Sequence, residues 1–152
     1  MGAIEARLQE LGLELPARRS AGNYVAGVRS ADMVFVSGAG PQRSDGSFVT
    51  GKVGGDVDVA AAQEAARLCA LGCLSSLAEA LGSLDEVKQI VKVLGFVNSA
   101  PGFVEQHVVM NGASDLLVAV FGDPGKHARS SVGMAELPMN IAVEVELIAR
   151  VG

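Results

Sequence analysis

The sequence has no tryptophan, one tyrosine and five phenylalanines in 152 residues. A stack of aromatic platforms for single-stranded bases is therefore excluded. It also has no run of lysines or arginines: 12 basic residues stand against 17 acidic ones, for a net charge of −5. Phosphate affinity comes from clustered cations, so a broad nucleic-acid-binding face is excluded as well. No apolar stretch is long enough to cross a bilayer. The first residues, Met1-Gly2-Ala3-Ile4-Glu5-Ala6-Arg7, are amphipathic and charged, unlike a signal peptide. Ala6 stands where a myristoylation site needs Ser or Thr. Cysteine is scarce too. Cys69 and Cys73 lie four apart in a helical pattern, with Cβ atoms about 5–6 Å apart, too far for an unstrained disulfide. They read as small buried helix residues, and free thiols without an export signal point to the cytoplasm.

What the chain does have is small aliphatic residues: 49% of it is hydrophobic and only 19% charged. That is enough for one compact domain, residues 1–152, with a core of Ala, Val and Leu. The positive mean hydropathy of +0.36 suggests that some apolar surface is buried between subunits.

The pattern along the chain predicts a short helix over residues 3–12 and a basic, turn-rich connector over 16–22. Strands follow at 24–29 and 33–37, joined by the Ser30-Ala31-Asp32 turn. Met33-Val34-Phe35-Val36 is apolar throughout, as expected of a strand covered on both faces. A Gly/Ser/Asp-rich loop leads to a long helix over 57–81, for which Asp56 is the expected cap. A strand at 85–97 comes next. A second helix is predicted to start at Ser99-Ala100-Pro101 and to stop at Gly122 and Pro124. Strands near 129–135 and 141–149 close the chain. The order β-β-α-β-α-β-β implies an α+β domain, one sheet with both long helices on one side. No helix remains to cover the other face, which favours an oligomer with sites between subunits.

The richest stretch is the last 24 residues. Arg129 opens an apolar, strand-like run, and Glu144 and Glu146 share one face of the next strand. A guanidinium on a rigid strand suits the gripping of a carboxylate through two parallel hydrogen bonds. A nearby glutamate can hold a water or move a proton. The pairing suggests a small-acid site with hydrolytic chemistry. Neither His107 nor His127 supports a Ser-His-Asp arrangement, and both read as incidental surface residues.

Six motifs, in order, carry a resemblance over about residues 20–149. They are Gly22-Asn23-Tyr24-Val25-Ala26-Gly27-Val28, Val36-Ser37-Gly38, Phe96-Val97, Asn111, Arg129-Ser130 with Leu137-Pro138, and Val143-Glu144-Val145-Glu146. Together they resemble the reactive-intermediate deaminase (YjgF-type) superfamily, whose members have carried the label endoribonuclease L-PSP. The extended N-terminus and Gly95-Phe96-Val97-Asn98-Ser99-Ala100-Pro101 look like its longer subgroup of about 150 residues.

The resemblance implies a chorismate-mutase-like fold and a homotrimer with clefts between neighbouring subunits. It implies hydrolysis of enamine or imine acids such as 2-aminoacrylate to 2-keto acids and ammonia. Arg129 would bind the substrate carboxylate and Glu144 would orient the attacking water. Tyr24, Ser37, Gly38 and Asn111 would line the cleft. No metal or organic cofactor, nucleic acid or membrane is implied. Two departures touch substrate identity more than fold. Ser131 stands where many members carry a cysteine, and Ala39-Gly40-Pro41 follows the Ser-Gly turn where a polar residue is common. Each residue also has a plainer reading: an interface salt bridge for Arg129, and a solvated strand face or an ion pair with Lys88 or Lys92 for Glu144 and Glu146. Packing would explain Tyr24, a simple turn Ser37 and Gly38, and helix cross-linking Asn111. A non-enzymatic carboxylate-binding or chaperone-like trimer is the alternative function, and an endoribonuclease a distant one.

Overall fold

The computed structural model describes residues 1–18 and 22–152. Part of the expected 16–22 connector, residues 19–21, therefore lies outside the described residues. Helix α1 (Ala3–Glu10) leads to strands β1 (Gly27–Ser30) and β2 (Met33–Ala39), then helix α2 (Val59–Leu81) and strand β3 (Val87–Asn98). Helix α3 (Gln106–Phe121) and strands β4 (Ala128–Met134) and β5 (Val143–Val151) complete the chain. The five strands form one sheet in the order β1-β2-β5-β3-β4, antiparallel except where β4 runs parallel to β3. This is the α+β arrangement expected from the element order and the chorismate-mutase-like one that the resemblance implies, with the short N-terminal helix in place.

Both long helices lie on one face of the sheet. The buried residues of α2 are mostly Ala, Cys, Gly and Ser, which allows close approach. The buried Cys69 and Cys73 thiols donate to the Val143 and Val145 carbonyls at 3.4 and 3.3 Å, so α2 rests directly on β5. Burial pushes the Cys73 thiol up to about 12, which keeps it protonated and unreactive. The α2–α3 crossing requires Gly112, where a Cβ would stand 2.0 Å from the Gln63 carbonyl oxygen. Along β3, β5 and β2 the residues facing the helices, such as Val93, Val97, Val143, Val145 and Val34, are fully buried.

Several boundaries differ from the sequence expectation. Asp58, not Asp56, caps α2 by accepting from the Ala61 amide at 2.7 Å. Asp56 is used one turn earlier, accepting from the Lys52 amide at 2.7 Å. Helix α3 begins at Gln106 rather than Ser99, because Gly102 turns into the left-handed region at φ 83° and Pro101 serves that turn. Strand β2 is covered on one face only within the protomer: Val34 and Val36 are buried, but Phe35 is 47% exposed.

Candidate functional site

Between β2 and β5 the ladder slips. Val36 pairs with Leu147 and Ala39 with Val145, so Ser37 and Gly38 together oppose Glu146. Such a bulge frees backbone groups and re-aims side chains. The Ser37 amide donates to the Ala26 carbonyl at 2.9 Å and its hydroxyl to the Val25 carbonyl at 2.7 Å. Those bonds fix the half-exposed Tyr24 segment beside the bulge. Gly38 lets the Glu144 side chain pass: a Cβ there would lie 2.9 Å from the Glu144 carboxyl carbon. Tyr24, Ser37, Gly38 and Glu144 thus gather around one bulge.

Glu144 is half-buried on the sheet face away from the helices. Burial raises its pKa, the neighbouring Glu146 raises it further, and Arg18 opposes them. Among the described residues no ion pair joins Glu144 or Glu146 to Lys88 or Lys92. Lys92 instead donates to the Ser130 hydroxyl at 3.2 Å.

Arg18 is a participant that sequence reasoning missed. It reaches in from the N-terminal connector, its Nε donating to Ser76 Oγ at 3.0 Å and its Nη2 to the Gly38 carbonyl at 3.3 Å. A guanidinium therefore donates to a backbone carbonyl within the bulge. The only sequence signal was a pair of basic residues in a turn-rich stretch.

The second group of site residues is built on β4 and α3. Arg129 Nη1 donates to Asn111 Oδ1 at 3.1 Å and to Ser114 Oγ at 3.0 Å, and Nη2 donates to the His107 carbonyl at 3.0 Å. His107, Asn111 and Ser114 stand at helical spacing, so one stripe of α3 supplies all three acceptors. Among the described residues the Arg129 Nε–H and one Nη2–H have no acceptor. Two N–H groups on adjacent nitrogens are what a bidentate carboxylate takes.

The two groups do not meet within one protomer. Arg129 is in register with Val93, whose side chain faces the helices, and Glu144 with Phe96, three residues along β3. Side chains alternate across a strand, so the guanidinium and the carboxylate lie on opposite faces of the sheet. The face bearing Glu144 also exposes Val28, Phe35 and Val132. It holds a depression of about 300 Å³ lined by Phe35, Lys92, Leu94, Glu146 and Ile148. A larger cavity of about 840 Å³, bounded by residues 12–17, 42–46 and one side of α2, contains none of the motif residues.

Comparison with known proteins finds relatives of the same family and fold. The family model described as YjgF/chorismate_mutase-like, putative endoribonuclease, matches residues 5–151. Protein TCP17 of Trypanosoma cruzi is 48% identical over 151 residues, which cover 98% of this chain and 94% of that protein. The crystal structure of a protein of unknown function from Agrobacterium tumefaciens superimposes with a TM-score of 0.90 at 50% identity, covering 98% of this chain and 94% of that one. Escherichia coli TdcF, solved with bound serine, gives a TM-score of 0.61 at 27% identity over 88% of this chain and 91% of its own.

Proposed function

We propose that this chain, which belongs to the YjgF/chorismate mutase-like family, captures small 2-imino acids by their carboxylate and hydrolyses them to 2-keto acids and ammonia. The observation that carries the reading is Arg129: three acceptors on α3 immobilise the guanidinium, and two N–H groups remain for a ligand. A preorganised fork of this kind lowers the entropy cost of holding a carboxylate in one orientation. TdcF, a relative that holds serine in its crystal structure, supports a ligand of amino-acid size.

The reaction asks little else of the protein. An imine carbon is already electrophilic, so no covalent nucleophile is needed. Water adds its oxygen to C2 while the imine nitrogen takes a proton, giving a carbinolamine. Breaking the C–N bond releases ammonia once the nitrogen is protonated again, and the hydroxyl proton leaves to form the keto group. Glu144 orients the water and exchanges the proton. Its raised pKa, caused first by burial, brings a carboxyl nearer to the range in which it can both take and give a proton.

The opposite-face placement of Arg129 and Glu144 supports a cleft shared between subunits. In a homotrimer, edge strand β4 of one protomer would lie against the exposed sheet face of the next. Arg129 from one chain and Glu144 from its neighbour would then flank one ligand. The exposed Val28, Phe35 and Val132 are what such packing would bury.

The test is acceleration of 2-aminoacrylate or 2-iminobutanoate hydrolysis, with the imine generated in place by a dehydratase. Activity above the spontaneous rate that is lost in Arg129→Ala and Glu144→Ala supports the proposal. A folded trimer that leaves the spontaneous rate unchanged overturns it. If that trimer still binds 2-oxobutanoate, the carboxylate-binding alternative takes its place.

A further inference from the structure

We propose that Ser114 and His127 are positioning residues for Arg129, acting through a hydrogen-bond chain that runs in one direction and ends on the Gly125 carbonyl. The inference deepens the carboxylate-binding role given to Arg129 and rests on it for its functional consequence.

The direction of the chain follows from what each group can do. Arg129 Nη1 can only donate, so at 3.0 Å Ser114 Oγ is the acceptor. At the other end the Gly125 carbonyl can only accept, so at 2.6 Å His127 Nδ1 carries a proton. In the Nδ1–H tautomer Nε2 is an acceptor, and at 2.9 Å it takes the single proton of Ser114 Oγ. Every donor points the same way, from Arg129 to Ser114 to His127 to Gly125, which lets each bond polarise the next.

The chain is anchored at its far end. A Cβ at Gly125 would stand 2.3 Å from the Leu117 carbonyl oxygen, so the Gly125 backbone is seated directly against α3. Helical serines commonly turn their hydroxyl back onto the carbonyl four residues earlier. Ser114 Oγ instead makes its bonds to His127 and Arg129. Its lone pair is thereby aimed at the guanidinium. Losing the His127 acceptor frees the hydroxyl to rotate, and Nη1 loses a fixed partner. His127 immediately precedes β4, two residues before Arg129, and both bond Ser114, so one short segment holds both ends of the bridge.

Two measurements test this in the full chain. The first titrates 2-oxobutanoate into wild type, Ser114→Ala, Ser114→Thr and His127→Phe by calorimetry. Ser114→Ala and His127→Phe are expected to bind about 3- to 10-fold more weakly, the effect of losing one oriented hydrogen bond. Ser114→Thr, which keeps the hydroxyl, is expected to restore binding. In turnover the same variants should raise KM and leave kcat unchanged. The second needs no ligand. The ¹⁵N spectrum of Arg129 should show separate Nη1 and Nη2 signals in wild type, from hindered rotation, that merge in Ser114→Ala and His127→Phe. Equal binding together with separate Nη signals in all variants overturns the proposal. If wild type binds no 2-oxo acid, the carboxylate-binding reading falls and the spectrum alone judges the positioning role: merged signals support it, unchanged ones overturn it.

Discussion

Arg129 and Glu144 occupy one sheet under opposite regimes. The arginine is tied to α3 by three hydrogen bonds at 3.0–3.1 Å, all from its own protomer. The glutamate sits on the uncovered face beside a bulge, with Gly38 below it, Glu146 two residues along the strand and Arg18 moderating its charge. One pole is preorganised by the chain itself, while the other lies on a surface a single protomer leaves open. Binding should therefore depend chiefly on local hydrogen bonds at Arg129. Chemistry at Glu144 should depend also on what covers that face.

The sharpest way to break this contrast is at Glu144. Glu144→Gln should cut kcat by about 10²–10⁴ and leave KM nearly unchanged, because it removes proton transfer and not the carboxylate anchor. Steady-state kinetics decide this. The same variant should change the pH dependence of stability. A raised carboxyl pKa means that the folded state favours the protonated form. That contribution is complete below the unfolded-state pKa and is lost as pH rises through the folded-state pKa. Urea unfolding from pH 4 to pH 8 should show this loss in wild type and a flatter profile in Glu144→Gln.

At the other pole, Arg129→Lys should raise KM about 10- to 100-fold, since an ammonium cannot serve three α3 acceptors and a bidentate ligand together. Stability should fall little, because the site lies at an edge strand. Gly38→Ala links chemistry and packing: a Cβ 2.9 Å from the Glu144 carboxyl must push that side chain aside. Lost turnover with a destabilisation of about 1–3 kcal/mol is expected, read by kinetics and denaturant unfolding. Phe35→Asp on the exposed face should shift the proposed trimer toward monomer in light scattering and abolish turnover, with 2-oxobutanoate binding reduced less. The smallest effect concerns Ser131, whose hydroxyl is buried without a hydrogen-bond partner among the described residues. Ser131→Ala should be neutral or stabilising by up to about 1 kcal/mol in thermal unfolding.

Some of this was legible in the sequence because it is periodic or local. The alternation Val143, Val145, Leu147 against Glu144, Glu146 already places both glutamates on one face of a strand. The Gly122 stop of α3 is likewise a local signal, and the helix ends there. Boundaries moved where two local signals competed. Asp56 and Asp58 can both cap a helix, and the choice fell to Asp58 because Asp56 closes the Lys52 turn. Pro101 can open a helix or a turn, and Gly102 decided for the turn. His127, unremarkable in sequence, became part of the arginine's support only because β4 lies beside α3.

The sequence by itself determined the α+β element order, a core of small aliphatic side chains and the residue types available to a carboxylate site, since these follow from periodicity, composition and spacing. Tertiary structure alone decided that Asn111 rather than Glu144 meets Arg129, that Arg18 caps the Ser37–Gly38 bulge, and that the two poles of the site face opposite ways. Register, bulges and the parallel pairing of β3 with β4 set those relations, and they arise between segments far apart in the chain, where no local pattern reaches.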